Sequence, residues 1–387
     1  MTLAGGRAMC AFMDDTRPLR RGWTTGTCAT AATKAAFTAL VAGDFPDPVT
    51  VTLPSGQTPA FALARQAQGD GFAQAGIVKD AGDDPDVTHG ALVSVTVRAG
   101  EPGTGIVFRA GEGVGTVTRP GLPIPPGEPA INPVPRKMMR QAIEEICAET
   151  GAAGDVEIEV AIADGEKLAE KTLNGRLGIV GGLSVLGTTG IVVPYSCAAW
   201  IASIHRGIDV ARATGMPHVA GATGNTSEKA VQAMHGLPEE ALLDMGDFVG
   251  GTLKYLKSHP VEKVTICGGI AKMTKLAQGF LDLHSKRGRV DFGALADVAA
   301  SRGGSDALQA AIRAANTTPE AFDKAQATGI AFGDTIAAQA WQTAAGVIGG
   351  CDIALEIVLF DREGRRVGHA PFASVKDHGP SRPRKRR

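Results

Sequence analysis

Two glycine-rich turns carry the first chemical suggestion in this chain. Gly221-Ala222-Thr223-Gly224-Asn225 follows a short apolar stretch and precedes a helical pattern. Glycine lets a backbone approach a ligand closely, and a helix start offers N–H groups without partners in the helix. That combination suits a carboxylate, a phosphate or a ribose edge. Gly268-Gly269-Ile270-Ala271-Lys272 repeats the design, with a lysine one turn into the helix. Each turn alone is as readily a tight strand–helix connection. Together they favour a nucleotide-like or adenosyl ligand, because parallel strands share the edge at which open α/β sheets bind ligands. The GxGxxG fingerprint is missing from both, so a dinucleotide is not indicated, and no GxxxxGK phosphate loop is present. The predicted cofactor contacts are Gly221, Thr223, Gly224, Asn225, Gly268, Gly269 and Lys272.

Two further turns lie in the N-terminal half. Gly181-Gly182-Leu183-Ser184-Val185-Leu186-Gly187-Thr188-Thr189-Gly190 must be a backbone-defined bend, and its two threonines could offer hydroxyls to a ligand. Arg21-Gly22-Trp23-Thr24-Thr25-Gly26-Thr27 places hydroxyls and free N–H groups ahead of a helix, which suits a carboxylate. Cys28 follows that turn. With no histidine adjacent, it reads as a small packing residue rather than a nucleophile. His284-Ser285 reads as the end of the helix that begins at Ile270, and His284 is a candidate substrate contact. No HExxH or paired-histidine spacing argues for a protein-bound metal.

The elements that position these turns change character along the chain. Residues 20–43 predict an amphipathic helix, with Thr27 able to cap it and Gly43 to end it. Residues 47–109 alternate as several antiparallel strands. Prolines from Pro120 to Pro135 predict an ordered surface loop, followed by a helix over about 137–149 and a strand at Val156, Ile158, Val160 and Ile162. Residues 196–214 predict a helix. Two strand–glycine–helix units follow, with helices from about Ser227 and over about 270–283. Helices then fill most of 291–346, and a hairpin spans 353–369. The fold class expected is an α+β N-terminal half plus an α/β C-terminal half, Rossmann-like with a parallel sheet. The division predicted is a disordered lead-in at 1–16, a substrate-binding domain at 17–193, a cofactor domain at 194–375 and a basic tail at 376–387.

With 387 residues the chain is long enough for two domains, and its net charge of −1 gives no general pull on nucleic acid or membrane. Two tyrosines leave little for base stacking. No apolar run is long enough to read as a membrane span. Six scattered cysteines without a CxxC pair fit a reduced, cytoplasmic protein. A homo-oligomer is left open.

Four blocks then carry a resemblance to a known family. They are Leu19-Arg20-Arg21-Gly22-Trp23-Thr24-Thr25-Gly26-Thr27-Cys28-Ala29; Val114-Gly115-Thr116-Val117-Thr118 with Pro120-Gly121-Leu122; Glu128-Pro129-Ala130-Ile131-Asn132-Pro133-Val134-Pro135-Arg136; and Asn174-Gly175-Arg176-Leu177-Gly178-Ile179 running on to Gly190-Ile191-Val192. In this order they resemble the cobalt-precorrin-5B (C1)-methyltransferase (CbiD) family. The C-terminal half is similar more loosely, with Ala271 standing where the family usually has glycine.

The resemblance implies methyl transfer from S-adenosyl-L-methionine to C1 of cobalt-precorrin-5B, giving cobalt-precorrin-6A on the anaerobic-type route to cobalamin. The cobalt is then part of the substrate. Substrate carboxylates are expected at Arg21, Thr24, Thr25, Thr27, Asn132, Arg136, Arg176, Thr188, Thr189 and His284, with the acceptor carbon between the two halves. Two alternatives are a nicotinamide-dependent reductase of the same pathway, against which the missing GxGxxG counts, and a non-catalytic tetrapyrrole-binding protein.

Overall fold

The computed structural model describes residues 18–378. The lead-in and all but the first residues of the basic tail lie outside them. Contacts within the chain separate two units, with the division between Ser196 and Cys197.

The first unit is built on a five-stranded sheet. Its strands are β1 (Arg65–Gly69), β2 (Phe72–Val78), β3 (Leu92–Ala99), β4 (Ile106–Ala110) and β5 (Val156–Ile162), in the order β1-β2-β3-β5-β4. Neighbours are antiparallel except β4 and β5, which run parallel. β5 buries Val156, Ile158, Val160 and Ile162 on one face, the alternation a half-buried strand requires. Helices α1 (Thr25–Ala42) and α2 (Pro133–Thr150) share a core with that face.

α1 departs from the expected one-sided helix. Its alanines and threonines are buried almost all the way round, because small side chains let sheet and neighbouring helix approach from several directions. Its cap also differs. Thr24 is the N-cap, its Oγ1 accepting from Thr27 N at 3.2 Å, while Gly43 ends the helix at φ 89° as expected. α2 starts about four residues earlier than predicted. Pro133 occupies the first turn, where a missing N–H costs no helical hydrogen bond.

The second unit contains α3 (Cys197–Ala213), β6 (His218–Ala222), α4 (Asn225–His235), β7 (Leu242–Asp244), α5 (Val249–Ser258), β8 (Lys263–Gly269), α6 (Ile270–Ala277), α7 (Phe292–Ser301), α8 (Asp306–Arg313), α9 (Thr318–Ala327), α10 (Gly333–Ile348), β9 (Ala354–Phe360) and β10 (Arg366–Ser374). Its sheet runs β7-β6-β8-β9-β10. The first four strands are parallel and β10 is antiparallel, so the sheet is mixed rather than purely parallel. Separate apolar clusters cover its two faces, one built largely from α5, α6 and α10, the other including Val231 of α4. Burial on both sides explains the nearly continuous apolar run of β8. α4 begins at Asn225 rather than Ser227. α6 stops at Ala277 rather than near Leu283, because Gly279 turns the chain at φ 90°.

One charged group sits inside this sheet. Glu356 of β9 is 2% exposed. Its Oε2 accepts from Thr265 Oγ1 at 2.7 Å and meets His235 Nε2 at 2.7 Å, while Oε1 meets His369 Nε2 at 2.8 Å. His218 Nε2 lies 2.8 Å from the same threonine oxygen. Three direct partners from three elements, with His218 bonded to one of them, make a buried carboxylate tolerable. Burial, with His235 adding to it, pushes the His218 imidazole down to about 4.

Candidate functional site

The chain leaves β6 for β7 on one side of it and returns to β8 on the other. The crevice outside the carboxyl ends of β6 and β8 is therefore the topological switch point of the parallel strands, where such sheets take ligands. Both glycine turns lie there. Ala222 is in register with Cys267, and Thr223 N donates to Cys267 O at 3.0 Å.

The glycines of these turns divide into two kinds. A Cβ at Gly224 or at Gly269 would meet nothing within 4 Å, so these two border open space. A Cβ at Gly268 would lie 2.4 Å from Thr223 Oγ1, and one at Gly221 would lie 3.1 Å from Ile266 Cδ1. Gly221 and Gly268 are thus packing glycines inside the sheet end. Asn225 is exposed at the start of α4, and Thr223 is 7% exposed.

Lys272 ties the turns together. Its Nζ donates to Thr223 O at 2.7 Å and lies 3.1 Å from Asp247 Oδ1. That carboxylate oxygen is sealed from solvent yet not aligned for a hydrogen bond. Asp247, three residues beyond β7, is a site residue that no sequence motif announces. Its backbone O accepts from Leu283 N at 3.0 Å, which brings the segment carrying His284 to the crevice. His284 lies in the turn beyond α6 and does not end that helix. Its backbone O accepts from Lys275 Nζ at 3.1 Å, and its Nδ1 accepts from Lys286 N at 3.2 Å. Burial lowers the pKa of Lys275 below the usual lysine value.

In the first unit the two predicted turns form one structure. Thr24 N donates to Gly190 O at 3.1 Å and Gly26 N to Leu186 O at 3.0 Å. Thr27 Oγ1 donates to Gly190 O at 2.7 Å. Gly22 and Trp23 pair with Val192 and Ile191. Gly187 lies so close to the helix start that a Cβ there would sit 2.1 Å from Thr24 Oγ1. The hydroxyls of Thr24 and Thr27 are therefore engaged in closing the turn, and Thr25 is buried. Arg21, Thr188 and Thr189 are exposed along it.

Arg136 is directed inward. Nε donates to Ile131 O at 2.8 Å, Nη1 and Nη2 each to Glu128 Oε2 at 3.1 Å, and Nη2 to Pro129 O at 3.0 Å. Its guanidinium holds the proline loop against α2. Asn132 Nδ2 donates to Val185 O at 3.2 Å, tethering the same loop to the glycine bend. Arg176 is partly buried and has partners of its own. Burial pushes the Cys28 thiol up to about 12, which fits a packing role. Among the described residues no helix is long and apolar enough to cross a membrane.

Comparisons with known proteins identify the family. Residues 13–194 match the family model described as CbiD, and residues 282–371 match the one described as CbiD, C-terminal domain. The chain is 64% identical over 367 residues to a cobalt-precorrin-5B C(1)-methyltransferase of Agrobacterium fabrum, covering 95% of this chain and 96% of that one. It is 63% identical to a cobalt-precorrin-5B C(1)-methyltransferase of Halorhodospira halophila, covering 92% and 95%. A solved structure, of a cobalamin biosynthesis protein (cbiD) from Archaeoglobus fulgidus, is 26% identical with a TM-score of 0.37, covering 67% of this chain and 80% of that chain. Identity at this level over nearly the full length places the chain in the CbiD family.

Proposed function

We propose that this chain is an S-adenosyl-L-methionine-dependent methyltransferase of cobalamin biosynthesis, acting on C1 of cobalt-precorrin-5B to give cobalt-precorrin-6A. The observation that carries the reading from the structure is the open crevice at the switch point between β6 and β8, bordered by Gly224 and Gly269. The near-full-length relatives bearing this activity's name supply the substrate. The strand order β7-β6-β8-β9 supports a doubly wound, Rossmann-like cofactor unit.

The donor set fits an adenosyl sulfonium. Backbone N–H groups at the starts of α4 and α6, with Asn225 and Lys272, suit ribose and carboxylate oxygens. Asp247, paired with Lys272 through Oδ1, adds a carboxylate acceptor beside the turns. The cofactor supplies an electrophilic methyl group. The protein's part is to hold acceptor carbon, methyl and sulfur in line, and such positioning is worth roughly 7–11 kcal/mol in favourable cases. In the first unit, the exposed Arg21, Thr188 and Thr189 are the groups best placed to meet substrate carboxylates.

The test is to incubate the purified chain with methyl-labelled S-adenosyl-L-methionine and cobalt-precorrin-5B and to locate the label. Label at C1 is expected. Label elsewhere on the macrocycle, or none transferred, overturns the assignment.

A further inference from the structure

The segment between α6 and α7 forms a clamped loop beside a cavity of about 780 Å³. Gln278 closes the loop: its Nε2 donates to Asp291 O at 2.9 Å and its Oε1 accepts from Asp291 N at 2.8 Å. Gly288 sits at the tip against Phe280, where a Cβ would lie 2.3 Å from the ring. This contact fixes the tip, and the arginines on either side, Arg287 and Arg289, line the cavity.

The two arginines are the chemical signature. Arg287 is held only at 3.6 Å by Asp282, with 74% of its side chain exposed. Arg289 has no acidic partner among the described residues. Asp291, also on the wall, is occupied as the cap of α7, its Oδ1 accepting from Ala294 N at 3.1 Å. The rest of the lining sets the apolar floor of Phe280, Leu295 and Ile336 beside the polar Gln278, Gln339 and Thr343. A bare inorganic anion has no use for such a floor, and a neutral apolar molecule has none for the guanidinium groups. An apolar body with carboxylates on it matches both, and the volume falls in the range of organic ligand sites.

Resting on the function proposed above, we propose that this cavity receives the carboxylate-bearing face of the tetrapyrrole substrate, with Arg287 and Arg289 on its acidic side chains. Placement supports it. Leu283 is bonded to Asp247 at the crevice, and Arg287 is four residues further on, so its backbone lies within roughly 14 Å of that point. In the first unit, by contrast, Arg136, one of the three arginines expected to meet carboxylates, is turned inward.

The probe is uroporphyrin, a stable tetrapyrrole octacarboxylate, titrated by fluorescence into the full chain. The double variant Arg287→Ala/Arg289→Ala is expected to raise Kd about tenfold, the scale for exposed charge pairs acting together. Ala294→Trp fills the cavity while keeping both charges and is expected to weaken binding similarly. Thr343→Trp replaces it if that variant does not fold. A control, Arg362→Ala/Arg366→Ala, removes the same charge elsewhere and is expected to stay within about twofold.

Equal loss in the control, no change in the cavity variants, or no binding to the wild-type chain would overturn the proposal. The methyl-transfer assay separates the two readings. A wild-type chain that labels C1 while Arg287→Ala/Arg289→Ala keeps its KM for the acceptor leaves the function standing and removes the cavity from it. A wild-type chain that labels nothing removes the function itself.

Discussion

Replacing Gly224 with leucine separates folding from binding in the crevice. At Gly224 the backbone is extended, with φ 162° and ψ 169°, and a Cβ meets nothing within 4 Å. The folded state therefore tolerates a side chain there. The expected cost is that of a poor helix N-cap, about 1 kcal/mol, or roughly 2–4 °C in Tm for a unit of this size. Binding fares differently, because the new side chain occupies the space a ligand needs to reach the turn. Losing two backbone hydrogen bonds and part of the apolar contact removes roughly 2–3 kcal/mol, a 30- to 140-fold rise in Kd. Isothermal titration with S-adenosylhomocysteine measures this directly. Gly269→Leu is expected to behave alike. Gly268→Leu is the contrasting case, since its Cβ collides with Thr223 and its main effect falls on stability. Folded Gly224→Leu and Gly269→Leu proteins with wild-type affinity would refute the placement of the cofactor.

Other expectations concern the scaffold. Gly187→Ala forces a Cβ onto the Thr24 cap at a φ of 146°, and loss of the cap plus backbone strain amounts to roughly 2–4 kcal/mol. A thermal melt should show Tm lowered by roughly 5–15 °C, and an unchanged Tm would contradict the contact. Arg136→Lys cannot reproduce four bonds from one planar fork, so it should cost about 2 kcal/mol in urea unfolding and leave the cofactor Kd unchanged. His218 is held neutral, with its pKa pushed down to about 4. The unfolded chain takes up a proton near the ordinary value of about 6.5, so this group's contribution is full above that pH and is lost as pH falls toward 4. Its size is at most about 3 kcal/mol, less for a ring that keeps some contact with water. Tm measured from pH 7 to 4.5 should fall more steeply for the wild type than for His218→Gln, and parallel curves would contradict it.

Some of this architecture is legible in the residues themselves. The alternation from Val156 to Ile162 reads directly as the strand that forms, and Gly43 marks the end of α1 where it falls. Capping is less legible, since Thr24, Thr25 and Thr27 are all competent caps. The choice among them is made by Gly190, which engages Thr27 from far along the chain. The two glycine turns of the second unit are visible as a pair, yet sequence does not distinguish Gly224 and Gly269, which face space, from Gly221 and Gly268, which pack. Asp247 stands in no motif and acquires meaning only when β7 is laid beside β6. The cavity beside Arg287 is hidden for a similar reason, its wall being shared by the clamped loop, α7 and a helix some fifty residues later. Arg136 is the converse. It looks like an anion-binding fork, and its carbonyl partners become visible only once the proline loop has folded back over it.

The turn that joins Thr24 and Thr27 to Gly190 has a bearing on biogenesis. The oxygen that Thr27 needs is supplied from 163 positions away. On a ribosome emitting about 5–20 residues per second, roughly ten to thirty seconds pass before that oxygen is made. Until then the first helix can coil, but its start is left to water. The first unit therefore closes late and from its far end, so a nascent chain truncated just short of Gly190 should be far more open to proteases than one released a dozen residues later.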